Sequence, residues 1–177
     1  MDQRQTFRDL HKTPFIMPNP WDAGSAKILA SMGFPALATT SSGFANALGR
    51  LDAGITRDEA IAHAAVIDGA PSLPVNADLE NGFGDEPEAA AETITAARKA
   101  GIAGASIEDF GGGEIFDSEL AAQRIRAAVA ANHEGDSPLV LTARAENFIR
   151  GNPDLADRSR DCRPIKRPAP MSSTRQA

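Results

Sequence analysis

A chain of 177 residues, 42% hydrophobic and poor in aromatics, is long enough for one domain with a sizeable core. Its net charge of −6 hides an asymmetry: from Arg158 onward six residues are basic and one acidic, so residues 1–157 hold 12 basic and 23 acidic residues, a net charge of −11. An acidic body argues against nucleic acid as a partner and suits a divalent cation, and no apolar run approaches the roughly 20 residues of a membrane span.

The start, "MDQRQTFRDLHKTP", lacks the apolar core of a signal peptide, and the single Cys162 allows no internal disulfide. A reducing cytoplasm is the expected compartment.

From residue 14 to 145 two textures alternate. The first apolar run, "FIMPNP" from Phe15, leads into the helical segment "AGSAKILASMG", with Asp22 placed to cap it and Gly33 to end it. A second run, "ALATTSS" from Ala36, is followed by "TRDEAIAHAAVIDG". There Thr56 and Glu59 make a capping box and Gly69 closes the helix. The third run, "LPVNADLE" from Leu73, precedes "PEAAAETITAARKAG", where Asp85 reads as the cap, Pro87 as first-turn residue and Gly101 as terminator. "GASIEDF" from Gly104 then gives way to "SELAAQRIRAAVAAN", capped by Asp117, and "LVLTARAEN" from Leu139 is the fifth run.

Alternating strands and helices at this spacing predict parallel strands joined by crossover helices, and the runs are apolar enough to be buried on both faces. A doubly wound nucleotide-binding sheet would carry G-x-G-x-x-G after its first strand, where this chain has "MPNPWDAG". Every polar cluster instead follows the carboxyl end of a run. The expected fold is therefore α/β, a (β/α)₈ barrel of which about five units fall within the chain. The expected catalytic domain spans residues 1–157.

If those strand ends are adjacent, several groups converge. Ser41, Ser42 and Gly43 offer hydroxyls and backbone N–H groups. Asp78 and Glu80 point the same way, since alternate strand residues share a face. Asp52, Glu108 and Arg144 join them from neighbouring loops and strands. Four carboxylates in one pocket repel each other, and a Mg²⁺ ion with oxygen ligands resolves that repulsion. Arg144 can hold an anionic substrate group. Asp109 stays open between structural and functional roles. His11, His63 and His133 read as surface or packing residues, and Trp21 as packing at the barrel mouth. "FGGGEIF" lacks the Gly-Lys-Ser/Thr ending of a phosphate loop. A Schiff-base aldolase would need a lysine at a strand end, and the runs have none.

The ordered set "PNPWDAGSAKIL", "TTSSGFANALGRLD", "VNADLENGFGD", "ASIEDF" and "LTARAENFIRG" resembles the successive strand-end motifs of the isocitrate lyase/phosphoenolpyruvate mutase superfamily, over residues 7–157. The resemblance implies a Mg²⁺-dependent barrel enzyme that makes or breaks a C–C or P–C bond beside an α-keto-acid or its enolate. By position, it implies that Ser42, Gly43 and Phe44 cradle the substrate carboxylate. Asp78 would be the main metal ligand, with Glu80 in place of the family's second aspartate and Asp52 in support. Glu108 would hold a metal-bound water and Arg144 would clamp the substrate. It also implies homo-oligomers. The family's lyases carry a K-[KR]-C-G-H loop where this chain reads "FGGGEIFDSELAAQRI", so the resemblance points to the mutase-like branch. The competing reading is an inactive relic of such an enzyme.

Residues 158–177, "RSRDCRPIKRPAPMSSTRQA", show neither helical nor strand period. One reading is a disordered basic tail. The preferred one is a shifted reading frame, because permitted codons read from the third base of codon 158 can spell "IARLQAYQEAGADVLYAPG", a helix–turn–strand pattern. The nucleotide sequence tests this.

Overall fold

Four of the five apolar runs form strands that pair in parallel and in chain order. They are β1 (Leu37–Ala38), β2 (Val75–Asp78), β3 (Gly104–Glu108) and, after a short antiparallel hairpin of β4 (Phe110–Gly111) and β5 (Glu114–Ile115), β6 (Val140–Arg144). These assignments come from a computed structural model that describes residues 2–153. The tail 158–177 and the expected boundary at residue 157 lie outside the described residues. The sheet order is β1-β2-β3-β6, and among the described residues it stays open, with β1 and β6 at its edges.

The first run departs from expectation. Phe15–Pro20 forms no strand, although Ala38 N–H donates to the Pro18 carbonyl at 3.1 Å and Asn19 Nδ2 donates to the Ala38 carbonyl at 3.1 Å. The segment therefore lies where a first strand would. Pro14, Pro18 and Pro20 have no N–H to give, so a ladder cannot form.

Crossover helices connect the strands as their caps predict. α2 (Ala23–Ser31) starts at Asp22 and α4 (Arg57–Asp68) at the Thr56–Glu59 box, each with the side-chain and backbone bonds of a capping box. In α6 (Ser118–Asn132) Asp117 accepts from the N–H groups of Glu119 and Leu120. α5 (Pro87–Lys99) corrects one assignment: Glu86, not Asp85, is its N-cap, and Asp85 instead accepts from Asn81 Nδ2 at 3.1 Å. Gly33 and Gly101 take the left-handed conformation that ends a helix, while Gly69 stays right-handed at φ −74°. Two helices were not expected. α1 (Gln3–Leu10) opens the fold, and α3 (Ser41–Ala47) begins at Thr40 immediately after β1.

The main core sits between α4, α5, α6 and the inner strands, where Ala64, Ile94, Ala97 and Ala128 cover Ala77, Leu79, Ala105 and Ile107. Small alanines let the helices approach the sheet closely. At the amino ends of the strands, Phe7 of α1 packs with Ala36 and Ala103. Its ring fills the space a side chain at position 104 would need, since a Cβ on Gly104 would lie 2.3 Å from it. Arg4 donates to the carbonyls of Ile102 (3.0 Å), Arg98 (2.6 Å) and Ser137, and Arg8 donates to that of Pro138. α1 thus closes the amino end of the sheet, and the carboxyl end stays open.

His11 and His133 bond back to carbonyls four residues earlier on their own helices. His63 is buried, with its ring stacked on Phe44 and Nε2 3.0 Å from the Trp21 carbonyl oxygen. His11 and His133 are exposed and His63 packs, each within the expected surface or packing reading. Among the described residues no helix is long and apolar enough to cross a membrane.

Candidate active site

Beyond the carboxyl ends of the strands lies a cavity of about 290 Å³. The strand register builds it: Asp78 pairs with Ser106, and Glu108 with Arg144, so groups from β2, β3 and β6 face one space. Of the residues singled out in the sequence, Ser42, Asp52, Asp78, Glu80, Glu108 and Arg144 line the cavity. Gly43 and Phe44 do not. Because residues 41–47 coil into α3, Gly43 N–H donates to Thr40 Oγ1 and Phe44 N–H to the Thr40 carbonyl. Trp21 packs so closely on Gly43 that a Cβ there would lie 2.5 Å from Nε1. Of the three residues expected to cradle a carboxylate, Ser42 lines the cavity, together with its neighbour Ser41.

Asp78 is the anchored acid. Its Oδ2 accepts from both the N–H and the hydroxyl of Ser41 at 3.0 Å, and its own N–H donates to Thr39 Oγ1. Glu80 follows with φ +48°, a left-handed conformation that few non-glycine residues adopt. Ala53 and Phe83 share it, and Ala53, like Glu80, lines the cavity. Local backbone strain of this kind gathers where a site must be held in place. Glu80 Oε1 is buried with no hydrogen-bond partner among the described residues.

The charges couple strongly. Burial, then the neighbouring Asp78 and Asp52, pushes the Glu80 carboxyl up to about 7. Burial and Glu146 push Glu108 up to about 7 despite the attraction of Arg144. Burial alone would lower the Arg144 guanidinium, but Glu108, Glu146 and Asp78 hold it above its ordinary value.

Three participants were not picked out in the sequence. Glu146 is buried at 1% exposure, with Oε1 2.7 Å from Arg144 Nε and Oε2 3.2 Å from Arg150. Its N–H donates to Asp109 Oδ1 at 2.8 Å, which makes buried Asp109 a support for the β6 loop. Arg150 lies with its guanidinium 3.6 Å from the centre of the Phe110 ring and also lines the cavity. Arg124 of α6, 1% exposed, donates to the carbonyls of Asn81, Gly84 (2.7 Å), Asp85 and Glu86 (3.2 Å). It fixes the loop that follows Asp78 and Glu80. Glu146 had a readable signal, two residues past Arg144 as Glu80 is two past Asp78. Arg124 had none, since mid-helix it looks like any solvent-facing charge.

Oxygen donors, a partnerless buried carboxylate oxygen and two carboxyls held near neutrality suit a hard divalent cation. As the side chains stand, however, no three acidic, histidine or cysteine groups among the described residues converge on a metal position. Arg144 Nη1 lies 3.7 Å from Asp78 Oδ1 and 3.5 Å from Glu108 Oε2, in the space between two of the expected ligands. Asp78, Glu80 and Glu108 share the cavity as expected, without meeting at one point.

A sequentially ordered parallel sheet with acids and arginines at its carboxyl ends defines an α/β protein of the barrel type, and its structural neighbours lie in the PEP mutase/isocitrate lyase superfamily. The chain belongs to the phosphoenolpyruvate phosphomutase family, whose model matches residues 7–162. A solved structure from Burkholderia cenocepacia J2315, described only as a lyase/mutase, is 49% identical with a TM-score of 0.86, over 89% of this chain and 59% of that one. An uncharacterized Mycobacterium tuberculosis protein is 39% identical over 81% of this chain and 54% of its own. The 2,3-dimethylmalate lyase of Eubacterium barkeri is 34% identical over 67% of this chain and 44% of its own. A crystal structure of 2,3-dimethylmalate lyase superposes with a TM-score of 0.76 at 34% identity, over 84% of this chain and 55% of that one. The chain spans about half the length of the curated relatives it matches.

Proposed function

We propose that this chain carries the Mg²⁺-dependent site of a lyase or mutase acting on a small α-keto-acid or its enolate, at a C–C or P–C bond next to the carbonyl. The observation that supports this most is the meeting of Asp78, Glu80, Glu108 and Arg144 in one strand-end cavity. Asp78, Glu80 and Glu108 would hold the ion, with Asp52 adding negative charge at the rim. When bound, Mg²⁺ would supply Lewis-acid stabilisation of the enolate oxygen. Arg144, released from Asp78 and Glu108, would bind the substrate carboxylate, a planar partner for a planar guanidinium. The Ser42 hydroxyl would add a donor on the same side. Glu80 and Glu108, pushed up to about 7 by burial and by neighbouring carboxylates, would give up their protons on binding the ion.

Thermal unfolding of the 177-residue chain with and without Mg²⁺ and oxalate, a mimic of enolpyruvate, tests the proposal. Ligand at 100 times its Kd adds about 2.7 kcal/mol to the folded state. At this chain length that raises the midpoint by roughly 5 to 10 °C. Asp78→Asn should abolish the shift. A wild-type midpoint indifferent to both ligands would overturn the proposal.

A further inference from the structure

α3, which carries Ser41 and Ser42 to the cavity, has only seven residues. So short a helix has too few turns to hold itself, and contacts along its sides decide where it lies. Ala45 is buried in the main core, and the Ser41 N–H and hydroxyl donate to Asp78 Oδ2. The Trp21 indole lies against Gly43, and the Phe44 ring stacks on the His63 ring, 3.9 Å between centres and 6° from parallel. His63 Nε2 is 3.0 Å from the Trp21 carbonyl oxygen. A carbonyl only accepts, so this nitrogen carries the proton. Burial holds the imidazolium below its ordinary pKa, against smaller upward pulls from the Trp21 bond and Asp22, and so favours the neutral ring that donates from Nε2. His63 thus touches both aromatic residues that bear on α3. It does so from α4, a capped helix seated in the core through Ala60 and Ala64.

We infer that His63 is a positioning residue for the cavity: by fixing Trp21 and Phe44 it sets α3, and so keeps Ser41 on Asp78 and Ser42 at the cavity wall. Its effect on ligands rests on the reading of the cavity as a Mg²⁺-dependent keto-acid site. His63 does not line the cavity itself, so it acts only through these neighbours. Asp78 without its two Ser41 bonds is free to turn, and Ser42, next along the helix, moves with Ser41. A ligand would then have to order these groups as it binds, which weakens it.

Two polar replacements separate this role from packing. Glutamine reaches the Trp21 carbonyl with its amide nitrogen, and asparagine falls short of it. Calorimetric titration of the full chain with oxalate in Mg²⁺ should find His63→Asn about tenfold weaker than wild type and His63→Gln within about threefold. Trp21 is the one tryptophan of the chain, so its fluorescence reads the same contact without ligand. The emission should shift to the red in His63→Asn and stay near wild type in His63→Gln. Phe44→Leu removes the stacked ring and leaves position 63 intact. It should also weaken oxalate several-fold, and it carries the test if the position-63 variants do not fold. Equal oxalate affinity in His63→Asn and His63→Gln, or a Phe44→Leu affinity within about twofold of wild type, overturns the positioning role while the keto-acid site stands. Failure of the wild type to bind oxalate overturns that site, and the hold of His63 on Trp21 is then decided by the emission alone.

Discussion

Replacing Glu80 with glutamine removes one negative charge from beside Asp78 and Asp52 and leaves the side chain nearly the same shape. Holding a carboxyl at about 7 rather than 4.5 corresponds to roughly 3 kcal/mol of differential stability. Solvent reaching this half-buried group reduces that to about 2 kcal/mol. The sign follows from the direction of the shift. Below pH 4.5 the group is protonated in folded and unfolded chains alike, and its contribution to stability is intact. As pH rises through 7 the folded chain must ionise it in a repulsive, desolvated place, and that contribution is lost. Urea unfolding without Mg²⁺ should therefore find Glu80→Gln close to wild type at pH 4.5 and about 2 kcal/mol more stable at pH 8. A variant no more stable than wild type at pH 8, or more stable by the same amount at both pH values, would refute the argument.

Two substitutions away from the cavity test the scaffold. Arg124→Met leaves four carbonyls of the 81–86 loop without their donor, and urea unfolding should show a loss of about 3 kcal/mol. Gly104→Ala drives a methyl group into the Phe7 ring and should lower stability by about 1 to 3 kcal/mol. Phe7→Leu in the same chain should recover part of that loss.

What the sequence made legible was whatever depends on near neighbours along the chain. The Thr56–Glu59 box and the Asp117 cap are complete within four residues, and both appear in the structure. The strands β2 and β3 announced themselves because consecutive residues are buried, Val75 to Ala77 and Gly104 to Ala105, and small or apolar residues dominate there. Asp78 and Glu108 stood out because a carboxylate at the end of such a run needs a reason to be there. The failures depend on distance. α1 has only Phe7 and Leu10 as apolar residues, and what fixes it are Arg4 bonds to carbonyls 94 to 133 positions away. Arg124 acquires meaning only from a loop about 40 residues earlier. The polar stretch after β1 read as a strand end with free N–H groups, whereas it coils into a helix in which Thr40 takes the Gly43 and Phe44 N–H groups and Asp78 that of Ser41. In "FIMPNP" the apolar texture was right, and the prolines, visible throughout, decided against a ladder.

The closure of the amino end by α1 also orders events in time. α1 is made well before its partners: Phe7 rests on Gly104 and Val140, and Arg8 waits for Pro138. Such long sequence separations slow folding, because the loop must close before the contacts reward it. Until residues near 138 emerge, α1 has little to hold it, and Phe7 is exposed to any apolar surface it meets. A chaperone site on the nascent chain is expected around "TFRDL", and would vanish once β6 is in place.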